Sequence, residues 1–187
     1  NVSDFDSLKF LDSNKFEDQI PDSICNLTKL TKLYLYLNNL TGQIPDLIGN
    51  LNKLNVIKIN NNQLSGQIPD SIYNLTKLTQ LVLHTNKLTG VISKSVKNLT
   101  SLKDISLSNN QLTGIIPDSI CSLTTLNKLN LNNNQFIYVI PTMIGNLTNL
   151  IEIRLDTNQL IGEIPNSIYN LIKLKRIVFH SNQLTGQ

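Results

Sequence analysis

Leucine or isoleucine returns every 24 residues along this chain, and no other feature restricts its fold as severely. Leu30, Leu54, Leu78, Leu102, Leu126, Leu150 and Leu174 form one column. Leu33, Ile57, Leu81, Ile105, Leu129, Ile153 and Ile177 form a second, and Leu35, Ile59, Leu83, Leu107, Leu131, Leu155 and Phe179 a third. A fourth is asparagine: Asn14, Asn38, Asn62, Asn86, Asn110, Asn134, Asn158 and Asn182. An unbroken period of this length means a stack of equal coils, none of which can bury its apolar side without its neighbours. Residues 1–187 read as one domain of about eight coils, the first and last incomplete.

Within a coil, the apolar residues alternate with polar ones over a few positions, the pattern of a short strand that sends every second side chain inward. The chain must turn sharply after that strand, which leaves backbone polar groups in need of partners. A carboxamide can both donate and accept, so Asn38, Asn62, Asn86, Asn110, Asn134, Asn158 and Asn182 read as a structural ladder. Gly42, Gly66, Gly90, Gly114, Gly162 and Gly186 then permit a tight bend. Pro21, Pro45, Pro69, Pro117, Pro141 and Pro165 fix φ and cannot donate to a ladder, so the return leg is a turn, a short edge segment and a brief helical turn.

The pattern L-x-x-L-x-L-x-x-N-x-L, with segments such as LTGQIPDLIGNL, LSGQIPDSIYNL, LTGIIPDSICSL and LIGEIPNSIYNL, resembles the plant-type leucine-rich repeat. The likeness is to the extracellular repeat regions of plant receptor-like kinases and to polygalacturonase-inhibiting proteins. It implies an α/β solenoid: a right-handed superhelix with a parallel β-sheet on the concave face and short 3-10 or helical turns on the convex face. The paired cysteines that close the ends of many such proteins are absent, and no capping segment is evident. The expectation is a piece of a longer protein whose open ends could self-associate.

Three places depart from the pattern. In the first coil, Asp6 and Lys9 stand where the period asks for apolar residues, with Phe5, Leu8 and Phe10 displaced by one, which reads as a partial cap or irregular strand. Ser93 and Lys94 replace the usual Pro and Asp, and Tyr138 replaces the Gly. Local backbone adjustments are expected at both, and no new site.

Composition narrows the function classes. With 40% hydrophobic and 16% charged residues the chain can build a core. No run approaches the roughly 18 apolar residues of a membrane helix, and the start NVSDFDSLKF lacks the regions of a signal peptide. A net charge of +3, scattered along the repeats, argues against nucleic acid as a partner. Cys25 and Cys121 hold the same repeat position four coils apart, roughly 19 Å at about 4.8 Å per coil, too far for a disulfide. Both read as free thiols on the convex side, which suits a reducing compartment. Sequons at Asn1, Asn26, Asn39, Asn74, Asn98 and Asn146 suit secretion, although N-L-T also falls out of the repeat itself. The resemblance tips the reading to an extracellular or secreted setting, with the cytoplasm as the alternative.

Individuality must lie on the outward strand positions. One column reads Phe10, Tyr34, Lys58, Val82, Ser106, Asn130, Arg154, Val178; the next reads Asp12, Tyr36, Asn60, His84, Ser108, Asn132, Asp156, His180. A flanking column adds Leu8, Lys32, Val56, Gln80, Asp104, Lys128, Glu152 and Arg176. The partner-binding candidates are Tyr34, Tyr36, Lys58, Asn60, Val82, His84, Ser106, Asn130, Asn132, Arg154 and Asp156, with the tyrosines as anchor. Against this stands the plainer reading that the rings only shield the early strands. Arg154, Asp156, Lys175, Arg176 and His180 read as a solvated, mutually compensating cluster. Ser106, Ser108 and Asp104 lie near His84, but an open sheet lacks the pocket that catalysis needs, so no enzyme is expected. No grouping of His, Cys and carboxylates suggests a metal, and no cofactor is expected.

The function read from these residues is a non-catalytic module that recognises a protein or peptide through the concave sheet. Ice or surface binding is the alternative, using Thr28, Thr76, Thr100, Thr124 and Thr148, interrupted by Asn52 and Ile172, or Thr41, Ser65, Thr89, Thr113 and Thr185, interrupted by Ile137 and Ile161. A spacer role within a longer parent protein is the third reading.

Overall fold

A computed structural model describes residues 17–186. Phe5, Asp6, Leu8, Lys9, Phe10, Asp12, Asn14, the sequon at Asn1 and with them the expected cap lie outside the described residues.

Among the described residues seven strands, one per described coil, form a parallel sheet: β1 (Lys32–Tyr34), β2 (Val56–Lys58), β4 (Gln80–Val82), β6 (Asp104–Ser106), β8 (Lys128–Asn130), β10 (Glu152–Arg154) and β12 (Arg176–Val178), in that order. Pairing follows the sequence period, so Leu33 faces Ile57 and Ile57 faces Leu81. The return legs pair as well. β3 (Ser65–Gln67) joins β5 (Lys87–Thr89), and β7 (Thr113–Ile115), β9 (Gln135–Tyr138), β11 (Gln159–Glu163) and β13 (Gln183–Thr185) form a parallel four-stranded sheet. There the register is shorter: Ser65 faces Lys87 and Thr113 faces Gln135. Seven 3-10 turns complete the described coils, from Asp22–Asn26 to Asn166–Asn170. Each starts after a Pro or Ser in extended conformation, where a fixed φ and a missing N–H cost nothing.

The core is one continuous apolar cluster running from Ile20 to Leu171. Its leucines and isoleucines stack column upon column, and each fully buried one contributes about 1.5–3 kcal/mol before chain entropy is counted against it. Tyr73 is also buried, its hydroxyl bonded to the backbone of Ser93 in the next coil, and burial pushes its pKa up to about 12.

The asparagine column behaves as the ladder the sequence suggests. Asn110 Nδ2 donates to Leu107 O at 3.0 Å and Ser108 O at 3.3 Å in its own coil and to Leu83 O at 3.1 Å in the coil before, while Oδ1 accepts the Leu88 N–H at 3.0 Å. Asn62, Asn86, Asn134, Asn158 and Asn182 repeat the pattern. Each carboxamide is thus a staple between two coils. The residue before it sits in the left-handed region in every described coil, with φ from 53 to 56° at Leu37, Asn61, Thr85, Asn109, Asn133, Thr157 and Ser181.

The two expected backbone adjustments do not occur. Tyr138 keeps the glycine conformation, φ 75° against 75° at Gly114 and 73° at Gly162. Both neighbouring strands pair with β9, and that pairing fixes the backbone whatever residue sits there. Ser93 (φ −63°, ψ 147°) likewise matches Pro69 (φ −66°, ψ 137°), and its hydroxyl accepts the Ser95 N–H in place of the rigid ring. The cysteines are free, as expected, and each belongs to a 3-10 turn, within which its side chain is buried. Burial first, and Asp118 second, push the Cys121 thiol up to about 12, and burial pushes the Cys25 thiol up as well.

Three substitutions test this account. Asn110→Ala leaves a buried N–H and carbonyls without partners and should cost about 3 kcal/mol in urea denaturation, whereas Asn98→Ala, exposed and outside the ladder, should stay within about 0.5 kcal/mol of wild type. Tyr138→Gly removes a left-handed non-glycine residue and should raise stability by about 1 kcal/mol; an unchanged or lower midpoint contradicts the strain.

Candidate functional site

Outward side chains on adjacent strands stand about 4.8 Å apart, close enough to pack on one another as well as face solvent. On the seven-stranded sheet they enclose a shallow trough of about 610 Å³ lined by Lys32, Tyr34, Tyr36, Lys58, Asn60, Val82, His84, Asp104, Ser106, Lys128 and Asn130.

The trough opens on an aromatic end. The rings of Tyr34 and Tyr36 meet edge to face, 6.3 Å between centroids and 72° between planes. Lys58 Nζ lies 5.9 Å from the Tyr34 ring centroid, within reach of a cation–π attraction. Both rings are half-buried, which restricts their rotamers in advance of any contact. In the middle, Val82 and Ser106 are short and buried and make the floor. Burial pushes the His84 pKa down, and its Nδ1 lies 3.1 Å from Thr85 Oγ1.

Asp104 has the most distinctive electrostatics. Burial pushes its carboxyl pKa up, Lys128 and Lys58 draw it partly back down, and Glu152 adds to the rise. The trough thus holds one partly desolvated carboxylate between basic side chains, Lys128 on the next strand and Lys58 two strands away on the other side.

Eight of the sequence candidates therefore come together in the trough: Tyr34, Tyr36, Lys58, Asn60, Val82, His84, Ser106 and Asn130. Asn132, Arg154 and Asp156 share the outward face but lie beyond the trough. Lys32, Asp104 and Lys128 belong to the trough and were placed only in the flanking column, although period-two alternation puts them on the same face. Asn60, Val82, Ser106, Asn132 and Asp156 point outward yet are buried, because their neighbours one coil away close over them. Nor is the charged cluster fully solvated: Asp156 is only 3% exposed, with Arg154 Nε 3.5 Å from Oδ1 and His180 Nε2 3.9 Å from Oδ2. Arg176 and Glu152 approach to 3.6 Å beside it.

Sequence reasoning missed a second depression, of about 950 Å³, between the return strands and the 3-10 turns, with Gln43, Asp46, Gln67, Asp70, Ser93 and Lys94 on its wall. Its glutamines are packed over glycines of the next coil: a Cβ on Gly66 would fall 2.8 Å from Gln43 Cγ. Among the described residues no group of three or more His, Cys, Asp or Glu could hold a metal ion, and no helix is long and apolar enough to cross a membrane.

A family model described as a leucine-rich repeat region matches residues 1–135, and one described as a leucine-rich repeat matches residues 125–147 and 149–171. The chain belongs to the leucine-rich-repeat family. No curated protein matches this leucine-rich-repeat chain in sequence. Among solved structures it is similar to the Arabidopsis receptor kinase HAESA, in complex with the peptide hormone IDA and the co-receptor SERK1, at 37% identity and a TM-score of 0.91 over 94% of this chain and 29% of that one. A TDR receptor is similar at 32% identity and a TM-score of 0.92, over 94% of this chain and 30% of that one. A plant ice-binding protein is similar at 33% identity and a TM-score of 0.82, over 89% of this chain and 54% of that one. The chain thus spans less than a third of the receptor chains it matches.

The raised pKa of Asp104 ties stability to pH. A carboxyl whose pKa is raised by folding stabilises the fold below its ordinary pKa and loses that contribution as pH climbs through the folded value. Asp104→Asn should therefore gain stability relative to wild type on going from about pH 3 to about pH 7, read from denaturation midpoints at both. A gain at the acid end only would reverse the assignment.

Proposed function

We propose that this leucine-rich-repeat chain is a non-catalytic binding module, working outside the cell as one domain, that takes a peptide or protein segment along the outward face of its seven-stranded sheet. The observation that carries the reading is the trough itself. It crosses the strands, with Tyr34 and Tyr36 at one end, the short Val82 and Ser106 in the middle and Lys128 and Asn130 at the other, and bears a different set of side chains on each coil. A segment lying across the strands meets each coil in turn, so the order of side chains along the trough specifies the order along the segment. Tyr34 and Tyr36 form the anchor, with much of their rotamer freedom already restricted before binding. Arg154 and Asp156 extend the face toward a second, charged contact. The likeness to HAESA in complex with a peptide hormone supports this use of the face, and the description of a similar structure as the ectodomain of a plant membrane receptor kinase supports the extracellular placement.

The second reading is ice or surface binding. It is favoured by the likeness to a plant ice-binding protein and by the exposed row Thr28, Thr76, Thr100, Thr124 and Thr148. The two readings use different faces, so one pair of measurements separates them. With a partner identified by affinity capture and mass spectrometry, the Tyr34→Ala/Tyr36→Ala double variant should fold as wild type and bind that partner more weakly by over about 1 kcal/mol. Equal affinity of the double variant dismisses the anchor; thermal hysteresis of the purified chain in solution would put the threonine row in its place.

A further inference from the structure

Four of the sequons recur at one position of the coil. Asn26, Asn74, Asn98 and Asn146 are each the last residue of a 3-10 turn. The leucine that follows points inward, with Leu75, Leu99 and Leu147 fully buried. The four asparagines and the threonines two residues on, Thr28, Thr76, Thr100 and Thr148, are exposed. No hydrogen bond among the described residues uses any of these eight side chains; only their backbone is engaged, as in Thr76 N–H to Asn74 O at 3.0 Å. Packing does not demand the triplet either. The turns that end at Asn50, Ser122 and Asn170 pass through Leu51 (φ −80°, ψ 54°), Leu123 (φ −83°, ψ 63°) and Leu171 (φ −83°, ψ 62°), and Leu75 has φ −81°, ψ 66°. Those three turns hold the same backbone without N-x-T. The leucine is what the coil needs; the flanking asparagine and threonine are surplus to the fold.

We infer that Asn26, Asn74, Asn98 and Asn146 are acceptors for N-linked glycans, which form a row along the edge made by the 3-10 turns. The inference rests on the extracellular placement proposed above. The co-reactant is a lipid-diphosphate-linked oligosaccharide. Asn Nδ2 attacks its anomeric carbon; the new C–N bond forms as the bond from that carbon to the diphosphate oxygen breaks. The lipid diphosphate leaves with the electron pair, and Nδ2 gives up a proton to the transferase. The transfer acts on the unfolded chain through the N-x-T triplet, and the folded coil must then leave each sugar in water. All four asparagines satisfy that condition, and none of them lines the trough. Asn39, in the turn after β1, stands apart from the row.

The test secretes the full chain from a glycosylating eukaryotic host, removes glycans with peptide-N-glycosidase in ¹⁸O-labelled water, and maps the peptides by mass spectrometry. Labelled aspartate is expected at all four positions. A variant carrying Thr28→Ala, Thr76→Ala, Thr100→Ala and Thr148→Ala should lose all four labels while keeping the circular dichroism spectrum and cooperative unfolding of wild type. An asparagine of the row that stays unmodified throughout the secreted pool overturns the inference, as does a variant that no longer folds, since the triplet would then serve the structure. Either result leaves the binding reading of the sheet standing. Unchanged partner affinity in the tyrosine variant would dismiss the anchor alone and leave the glycan row standing.

Discussion

From Asn62 to Asn182, the asparagine carboxamide of each coil serves a carbonyl in its own coil, a carbonyl in the preceding coil and an N–H in the preceding return leg, and the pitch of the stack follows from that three-way tie. Asn158, for example, reaches Leu155 O, Leu131 O and the Phe136 N–H at 3.0 to 3.1 Å. These groups lie where water cannot replace the side chain cheaply, so the tie fixes coil length: one residue more or less would offer the amide the wrong partners. Equal coils are what allow leucine to stack on leucine through the whole core. The hydrophobic columns supply the larger energy, but the amides decide which registers can collect it.

The same constraint shapes the outward face. Because adjacent coils are held in strict register, outward residues stand beside their counterparts rather than beside arbitrary neighbours, and each inherits its environment from the coils on either side. Asp104 is perturbed by Lys128 from the next strand, by Lys58 two strands away and by Glu152 on the other side. Asp156 is buried by the residues around it although it points away from the core. A change at one outward position therefore alters the chemistry of the coils beside it, and the recognition property belongs to the row.

Much of this was legible in the residues because a period of 24 reports inward and outward direction directly. The columns through Leu30, Leu33 and Leu35, the asparagine ladder and the parallel register all follow from spacing. The left-handed residue before each asparagine did not, since Leu37, Thr85 and Thr157 are poor choices for that conformation and the staple imposes it on whatever residue is present. Tyr138 and Ser93 misled for a related reason: a departure in one coil invites the expectation of a local change, but two flanking coils hold the backbone in place. At the candidate site, alternation placed Tyr34, Lys58 and His84 on one face, yet it carries no measure of depth. Burial of Asn60, Ser106 and Asp156 depends on how neighbouring coils close over them, which spacing does not encode. The return-leg sheets were only half legible, because their shorter register differs from the period that governs everything else.

The two threonine rows differ in a way that bears on surface recognition. In the row on the return strands, hydroxyls are spent internally: Ser65 Oγ donates to Gly42 O and Thr113 Oγ1 to Gly90 O, and Ile137 and Ile161 interrupt the line. The row after the 3-10 turns keeps its hydroxyls free and is the better candidate for ordering water, but four of its five threonines belong to the N-x-T triplets. A glycan two residues away would stand over the hydroxyls that an ice surface must approach. One edge of the solenoid cannot serve both chemistries, so the modification state of four asparagines decides whether that edge is a contact surface or a shielded one, and with it whether the sheet is the face left for a partner.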